Sequence, residues 1–208
     1  MKYNLPRLPL IIFLVTIFGS LILGFSIIYN LVVTHSIGEK LRFENEFIKI
    51  DFPRNWCAYS WSERNITGSV YGVFLYSQKP SSIIIFRIHD ENVTRHFMKR
   101  NNLKNVSAVI NFELRRIYSD IRKRNENSSL IFEETGGISI REVQANYSKI
   151  IIKNAFESEG TFHDMFCLMI SYIRNHSLVE ITLWGVRENY EELRILFEET
   201  LNSTKIKV

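Results

Sequence analysis

A stretch without charge near the N-terminus constrains this chain more than any other feature. From Leu8 to Val33 no Asp, Glu, Lys or Arg occurs, which is 26 consecutive residues. As an α-helix this stretch would be about 39 Å long, and a bilayer core needs about 20 residues. Lys2 and Arg7 precede it. We therefore predict a transmembrane signal-anchor helix over residues 8–33 after a short cytoplasmic tail over residues 1–7.

A cleavable signal peptide is the main alternative to this anchor. Its apolar region would span about 7–15 residues and end in a small-residue cleavage site, whereas the stretch here is longer and no Ala-x-Ala follows it. Thr16, Ser20 and Gly24 recur every four residues within the stretch. Such a seam lets a second helix pack closely, although small residues are also common in membrane helices generally.

Acceptor motifs for N-glycosylation indicate which side of the membrane the remaining chain occupies. The pattern Asn-x-Ser/Thr is typical of glycosylated extracellular domains, and every copy lies after the apolar stretch. We therefore predict a single-pass protein of the cell membrane with its N-terminus in the cytoplasm and its C-terminal domain outside. The seven candidate acceptors are Asn65, Asn92, Asn105, Asn127, Asn146, Asn175 and Asn202.

The chain has two cysteines, Cys57 and Cys167. In an oxidising compartment they are candidates for one disulfide. Closing a loop of this length, 110 residues, would contribute on the order of 4 kcal/mol in the chain-entropy model. Two free buried thiols are the alternative, since sequence spacing does not show whether the two residues are adjacent.

Residues after the apolar stretch alternate between strand and helix patterns. A polar stalk is predicted over residues 34–46 and a folded domain over 47–208. The domain opens with Ile48, Ile50 and Phe52 on one face of a strand, a period-2 pattern. Short β-branched and aromatic runs predict further strands over residues 56–61, 69–76 and 82–89.

The apolar period then changes from two to between three and four, which predicts a long amphipathic helix over residues 94–123. Asn92 or Thr94 is expected to cap its start, and Asn101-Asn102 is a point of fraying. The apolar positions are Leu103, Val106, Ile110, Leu114, Ile117 and Ile121.

Strands resume after this helix, with a turn predicted at Gly136-Gly137 and a hairpin around residues 175–177. A last helix is predicted over residues 190–201, where Asn189 and Glu192 fit a capping box. The predicted fold class is α+β: an antiparallel sheet covered by the long central helix and the C-terminal helix.

Two segments resemble the PsbP-like family. Residues 47–56, Phe-Ile-Lys-Ile-Asp-Phe-Pro-Arg-Asn-Trp, are similar to the family's strand-Pro-x-x-Trp opening, and residues 178–183 and 197–203 are similar to its closing strand, helix and Ser-containing tail. The resemblance covers residues 46–208. It implies a non-catalytic binding or assembly protein, and it does not extend to the membrane anchor. The family's Gly-rich turn is only partly kept, at Gly136-Gly137.

Catalytic motifs are not apparent in this sequence. The histidines lack metal-ligand spacing, and there is no nucleophile elbow, phosphate loop or dinucleotide fingerprint. His89-Asp90 and His163-Asp164 are adjacent pairs, for which solvated or capping roles are the simpler interpretation. We predict no catalytic residue, no metal site and no cofactor.

Charge is distributed unevenly along the domain. Residues 92–125 carry a net charge of +7 and residues 126–208 a net charge of −5. The basic segment is a candidate surface for anionic headgroups or an acidic partner, or it complements the acidic half internally. It lacks the interleaved aromatics typical of single-strand binding, so nucleic acid is not expected. The basic residues are Arg95, Lys99, Arg100, Lys104, Arg115, Arg116, Arg122, Lys123 and Arg124.

These features predict a membrane-anchored extracytoplasmic binding protein, either an accessory or assembly factor of a membrane complex or a surface interaction module. Its expected partners are the bilayer and a protein in or at the membrane. A small-ligand or lipid carrier is the alternative, and it requires an apolar cavity lined by Trp56, Trp61 or Trp184. An enzyme would require a pocket with converging polar groups around His89 or His163.

Overall fold

The computed structural model describes residues 30–31, 35–37, 40–78, 81–140, 143–158 and 160–207. Within these ranges the first strands are β1 (Asn30–Leu31), β2 (His35–Ile37), β3 (Lys40–Glu44), β4 (Ile48–Pro53), β5 (Cys57–Asn65), β6 (Gly68–Gln78) and β7 (Ser81–His89). The later strands are β8 (Ser129–Ile140), β9 (Val143–Ser158), β10 (Thr161–Arg174), β11 (Ser177–Val186) and β12 (Lys205–Ile206). The helices are α1 (Glu91–Arg100), α2 (Val106–Arg122) and α3 (Tyr190–Ser203), the last preceded by a 3-10 turn.

The strands form two antiparallel sheets. The larger sheet has the order β1-β5-β6-β7-β11-β10-β9-β8, and the smaller has the order β12-β4-β3-β2. Most neighbours in the larger sheet are joined by hairpins. The adjacent strands β7 and β11 are not consecutive in the chain, which after β7 passes through α1 and α2 and continues into β8 at the edge of the sheet. The α+β class predicted from the sequence is confirmed.

The centre of the larger sheet is buried on both faces, as its strand β11 shows. Nine of the ten residues of β11 are buried, which is the pattern of a strand covered on two sides. The face toward α1 and α2 includes Trp184 and Met169. The opposite face packs on β4 and α3 through side chains that include Ile50 and Phe197. The predicted inward face of β4 is confirmed, since Ile48, Ile50 and Phe52 are at most 1% exposed.

The region predicted as one central helix is two helices. The break falls at the predicted point of fraying, where Asn102 has a φ of 52°, a left-handed conformation that Asn tolerates and that ends a helix. Neither predicted N-cap is correct. Asp90 caps α1 by accepting a hydrogen bond from the Val93 amide, 2.9 Å away, and Asn105 caps α2 in the same way through the Ala108 amide.

The predicted C-terminal hairpin and last helix are confirmed as β10–β11 and α3. The hairpin turns at Asn175 and His176, which both have positive φ. Two finer predictions are wrong. Gly136-Gly137 is not a turn but lies inside β8, where the Tyr147 ring would lie 3.0 Å from a Cβ at position 136. No side-chain cap is present at Asn189, so the predicted capping box does not form.

The predicted anchor lies almost wholly outside the described residues, and so does its small-residue seam, Thr16, Ser20 and Gly24. Its predicted end at Val33 needs correction, because Asn30 and Leu31 pair with β5 as a strand. The predicted stalk also contains structure, since Lys40–Glu44 forms β3 and Phe43 is 0% exposed. None of the helices in the described ranges is long and apolar enough to cross a bilayer.

Candidate functional site

A group of charged side chains lies buried between the larger sheet and α2. Strand β7 contributes Arg87 and His89, and β11 contributes Glu180, directly opposite Arg87 in the pairing register. Helix α2 contributes Glu113 from its buried face and Arg116 one turn later. These five residues, which we call the buried charge cluster, come from three elements and span nearly one hundred positions of sequence.

Short contacts join the members of the buried charge cluster. His89 Nε2 lies 2.7 Å from Glu180 Oε2, and Arg87 Nη1 lies 3.4 Å from the same oxygen and 3.7 Å from Glu113 Oε2. Arg116 Nη2 donates a hydrogen bond of 2.5 Å to Glu113. Glu113 and Glu180 are each 2% exposed. Buried carboxylates persist only when cations and donors surround them, and the cluster satisfies that requirement.

The environment shifts the pKa values of the two carboxylates in opposite directions. Burial acts to raise the pKa of Glu180, but Arg87 and His89 outweigh it and lower that pKa to about 2. Burial, reinforced by the neighbouring Glu180, raises the pKa of Glu113 despite Arg87 and Arg116. Glu180 is therefore the fixed negative charge of the cluster. Since an ionised carboxylate only accepts hydrogen bonds, His89 Nε2 carries the proton of their contact.

A small cavity adjoins the cluster beneath α2. Its volume of about 10 Å³ corresponds to roughly one water molecule. Three buried polar atoms of the residues lining it have no hydrogen-bond partner within the described chain: Trp184 Nε1, Glu180 Oε1 and Arg116 Nε. The cavity suits a single bridging water chemically. The residues that line it are Ile85, Arg87, Glu113, Arg116, Ile117, Met169, Glu180, Thr182 and Trp184.

The two histidine positions singled out from the sequence differ in their surroundings. Polar groups do converge on His89, but inside a closed core rather than in a substrate-sized pocket. His163 stacks on Phe156, with ring centroids 5.2 Å apart, and its neighbour Asp164 pairs with Lys153 at 3.1 Å. Over the described ranges, no three His, Cys, Asp or Glu side chains gather as metal ligands.

Two of the three tryptophans proposed to line a carrier cavity are packed in the core of the described part of the chain. Trp56 and Trp184 are each 2% exposed and belong to the two core clusters. A second cavity beside Trp184 also measures about 10 Å³. Trp61 is only half-buried and lies across Gly72, where a Cβ atom would come within 2.0 Å of the indole.

The candidate disulfide is not formed in the structure. Cys57 and Cys167 are both free, Cys57 exposed and Cys167 buried. Their strands, β5 and β10, are four positions apart in the sheet order, which at about 4.8 Å per position separates them by roughly 19 Å. A disulfide requires Cα atoms within about 7 Å. Burial raises the pKa of the Cys167 thiol well above its ordinary value.

Eight of the nine basic residues predicted as a contact surface are exposed. Arg116 is the exception, since it belongs to the buried charge cluster. Arg95 and Lys123 pair locally with Glu91 and Asp120. Arg124 also interacts within the domain. In the part of the chain that the structure describes, no ion pair involves the other five side chains. These unpaired residues are Lys99, Arg100, Lys104, Arg115 and Arg122, of which Arg115 lies over the Phe132 ring.

None of the seven candidate glycosylation sites is buried. Five are exposed, at residues 92, 105, 127, 175 and 202, and two are half-buried, at residues 65 and 146. The side chain of Asn105 is also the N-cap of α2, and that of Asn65 accepts a hydrogen bond from the Thr67 amide. Whether any of them carries a sugar stays a prediction.

Arg87, Glu113 and Glu180 were not among the site residues predicted from the sequence. Arg87 and Glu180 each carried a local signal, because a charge stands alone among apolar neighbours in Ile83–His89 and in Leu178–Leu183, whereas Glu113 has Arg115 and Arg116 close by in the sequence. A single charge inside a run that is otherwise buried indicates an internal partner. The identity of that partner depends on which strands and helices meet.

Comparison with known proteins gives matches among solved structures alone. No family model matches the chain, and no curated protein does. The chain is similar to the solution structure of cyanobacterial PsbP (CyanoP) from Synechocystis sp. PCC 6803, with 8% identity, a TM-score of 0.48, and 82% of this chain and 94% of that chain covered. The family that the sequence resembles is therefore among the matches.

Two further structures are similar to this chain. One is a protein of Bacteroides thetaiotaomicron, with 12% identity and a TM-score of 0.41. The match covers 83% of this chain and 50% of that chain. The other is LpqN, involved in cell envelope biogenesis of Mycobacterium tuberculosis, with 8% identity, a TM-score of 0.36, and 90% of this chain and 95% of that chain covered.

Proposed function

We propose that this protein is anchored in a membrane by its N-terminal apolar stretch and that its extracytoplasmic domain acts by binding, as an accessory or assembly factor of a membrane complex. The bound surface is the corner between α1 and α2. There Lys99 and Arg100 end α1, and Lys104 follows in the connection to α2. We call these three residues the basic corner.

The unneutralised charge of the basic corner carries this proposal. All three side chains are exposed, and none is in an ion pair within the described part of the chain. The alternative, internal complementation by the acidic C-terminal half, has support at Arg116, whose charge acts on the buried Glu180. An exposed cluster of like charges raises the local concentration of anionic groups and steers acidic partners toward itself.

Binding rather than catalysis is favoured by the closed state of the polar site. The cavity at the buried charge cluster admits roughly one water, whereas ligand pockets typically measure about 300–1,000 Å³. His89 and Glu180 are each at most 6% exposed. We therefore assign the cluster a structural role, in which it fixes α2 on the sheet and so holds the basic corner in place.

The carrier alternative receives less support from the same geometry. A lipid or small-ligand carrier needs an apolar cavity, but Trp56 and Trp184 are packed in the cores and both described cavities are water-sized. We retain the binding proposal on that basis.

Site-specific crosslinking tests the basic corner. A photoreactive amino acid replaces Asn102, an exposed residue between Arg100 and Lys104, in the full-length chain produced in its native cells. The expected result is a crosslinked protein partner that disappears in the Lys99→Gln/Arg100→Gln/Lys104→Gln variant. A matched control changes three exposed basic residues elsewhere, Arg174, Arg187 and Lys205, to Gln and should retain the crosslink. Equal crosslinking in both triple variants would reject the proposed surface.

Membrane extraction and glycosidase treatment test the location separately. The full chain should resist alkaline carbonate extraction, and protease added outside intact cells should digest the domain. A glycosidase should then reduce its mass, since the candidate sites lie on that side. Carbonate-soluble protein would contradict the anchor, and an unchanged mass would contradict the predicted glycosylation.

A further inference from the structure

The chain that precedes the folded domain joins the larger sheet at one defined edge. Strand β1 pairs antiparallel with β5, with Asn30 opposite Ser60 and Leu31 opposite Tyr59. Asn30, where the described chain begins, therefore lies beside the hairpin formed by β5 and β6, which we call the edge hairpin. Because the pairing is antiparallel, β1 begins on the side toward which β5 ends and the hairpin turns, at residues 65–68.

The edge hairpin displays apolar and aromatic side chains that the domain covers only in part or not at all. Ile66 projects from its turn and is fully exposed, more so than any other large apolar side chain described. Trp61 is half-buried and lies along the strand over Gly72. Beside it, the half-buried Tyr59 and Phe74 stack, with ring centroids 5.0 Å apart. Helices α1 and α2 cover other parts of the same face.

We propose that the edge hairpin rests on the interface of the bilayer that holds the anchor, with Ile66 and Trp61 as the contacting side chains. Trp and Tyr concentrate at the headgroup level, where the ring is apolar and the polar atom stays hydrated. An aliphatic side chain at a turn can reach further into the acyl region. The inference depends on the proposed anchoring, because the occupant is the membrane in which residues 8–29 are held.

The physical consequence is a fixed orientation of the domain. A single anchor leaves a domain free to rotate about its point of attachment, whereas a second contact at the same edge restricts that rotation. The edge hairpin and the entering chain lie on neighbouring strands, so both contacts act at one side of the sheet. The orientation of the basic corner relative to the membrane is thereby set.

Tryptophan quenching by lipid tests the contact at Trp61. The full chain is reconstituted in phosphatidylcholine vesicles whose acyl chains are either brominated or not. Trp56 and Trp184 are buried in the domain core, so quenching should report on Trp61. The expected result is a loss of emission with brominated lipid that the Trp61→Phe variant does not show. An equal response of wild type and Trp61→Phe would overturn the proposal.

Spin-label accessibility tests the contact at Ile66. In a Cys57→Ser background, a nitroxide is attached at Ile66→Cys or, as a matched control, at Phe162→Cys. Phe162 is 49% exposed and lies at the opposite end of the sheet, near the start of β10. The label at 66 should collide more with oxygen and less with a water-soluble nickel complex than the label at 162. Equal accessibility at the two sites would overturn the proposal.

The same samples separate this inference from the proposed function. Protein that resists carbonate extraction but shows neither lipid quenching nor a shielded label at 66 is anchored without the hairpin contact, so the inference alone fails. Protein that is extracted by carbonate lacks the anchor, so the proposed location fails as well. An N-glycan detected on Asn65 would also overturn the hairpin contact, since a sugar next to Ile66 holds the turn in water.

Discussion

His89 and Glu180 meet across the β7–β11 pair with their side-chain atoms 2.7 Å apart, and both are almost fully buried. They are 91 positions apart in the chain. Their contact lies where β7 and β11, the strands that join the two halves of the larger sheet, pair with each other. Arg87 and Glu113 extend the contact to α2, so one polar network ties the sheet halves and the helix layer together.

Removing the fixed charge of this network should destabilise the fold strongly. We expect Glu180→Gln to lower the free energy of unfolding by about 3–5 kcal/mol at pH 7, because Arg87 loses its buried counter-charge. Glu113→Gln should have a smaller effect, since burial and Glu180 already disfavour the charged form of Glu113. Urea unfolding of the full chain in detergent, followed by near-UV circular dichroism, measures both. A larger loss for Glu113→Gln would contradict the assignment of Glu180 as the fixed charge.

The stability of the protein should fall in acid through the same residue. Because the pKa of Glu180 is about 2 in the folded state and higher in the unfolded chain, the unfolded state takes up the proton first as pH falls. The contribution of Glu180 is therefore complete above about pH 4.5, the ordinary pKa of Glu, and is lost as pH falls toward 2. The stability difference between wild type and Glu180→Gln should narrow over this range. A difference independent of pH would argue against an ionised Glu180.

The two thiols should react very differently. We expect one thiol, that of Cys57, to be alkylated in the native protein, and Cys167 to react only after denaturation, because Cys167 is 0% exposed. Cys57→Ser should change stability by less than about 0.5 kcal/mol, as is usual at the surface. Cys167→Ser should cost about 1–3 kcal/mol, because it buries a hydroxyl in an apolar site. Intact mass under non-reducing conditions provides the check, since a disulfide would remove two hydrogens.

Asp90 should contribute more to the free energy of unfolding than an ordinary helix cap does. Its Oδ1 accepts from the Val93 amide, and its Oδ2 accepts from the Ser69 amide at the start of β6. We expect Asp90→Ala to cost more than the roughly 1 kcal/mol typical of a lost cap, because a strand amide also loses its partner. Asn105→Ala removes the α2 cap and no second bond, so it serves as the matched control. Thermal unfolding of both variants would test this order, and equal losses would contradict it.

Local pattern was sufficient to predict much of the secondary structure. The alternation of Ile48, Ile50 and Phe52 correctly predicted the inward face of β4, and the three-to-four spacing from Val106 to Ile121 correctly predicted the buried side of α2. These two predictions succeeded because the exposure of side chains repeats with a fixed period along a strand or a helix. Glycine was less informative, since Gly136 and Gly137 lie inside β8 rather than at a turn, with Gly136 against the Tyr147 ring.

The sequence by itself determined which segments are apolar, which are strands or helices, and where charge is concentrated, because these depend on neighbours along the chain. The tertiary structure decided which distant residues meet. It placed Cys57 four strand positions from Cys167 and brought Glu180 to Arg87, His89 and Glu113. Strand order is fixed by the burial of both sheet faces together, a property of the assembled core that no local window contains.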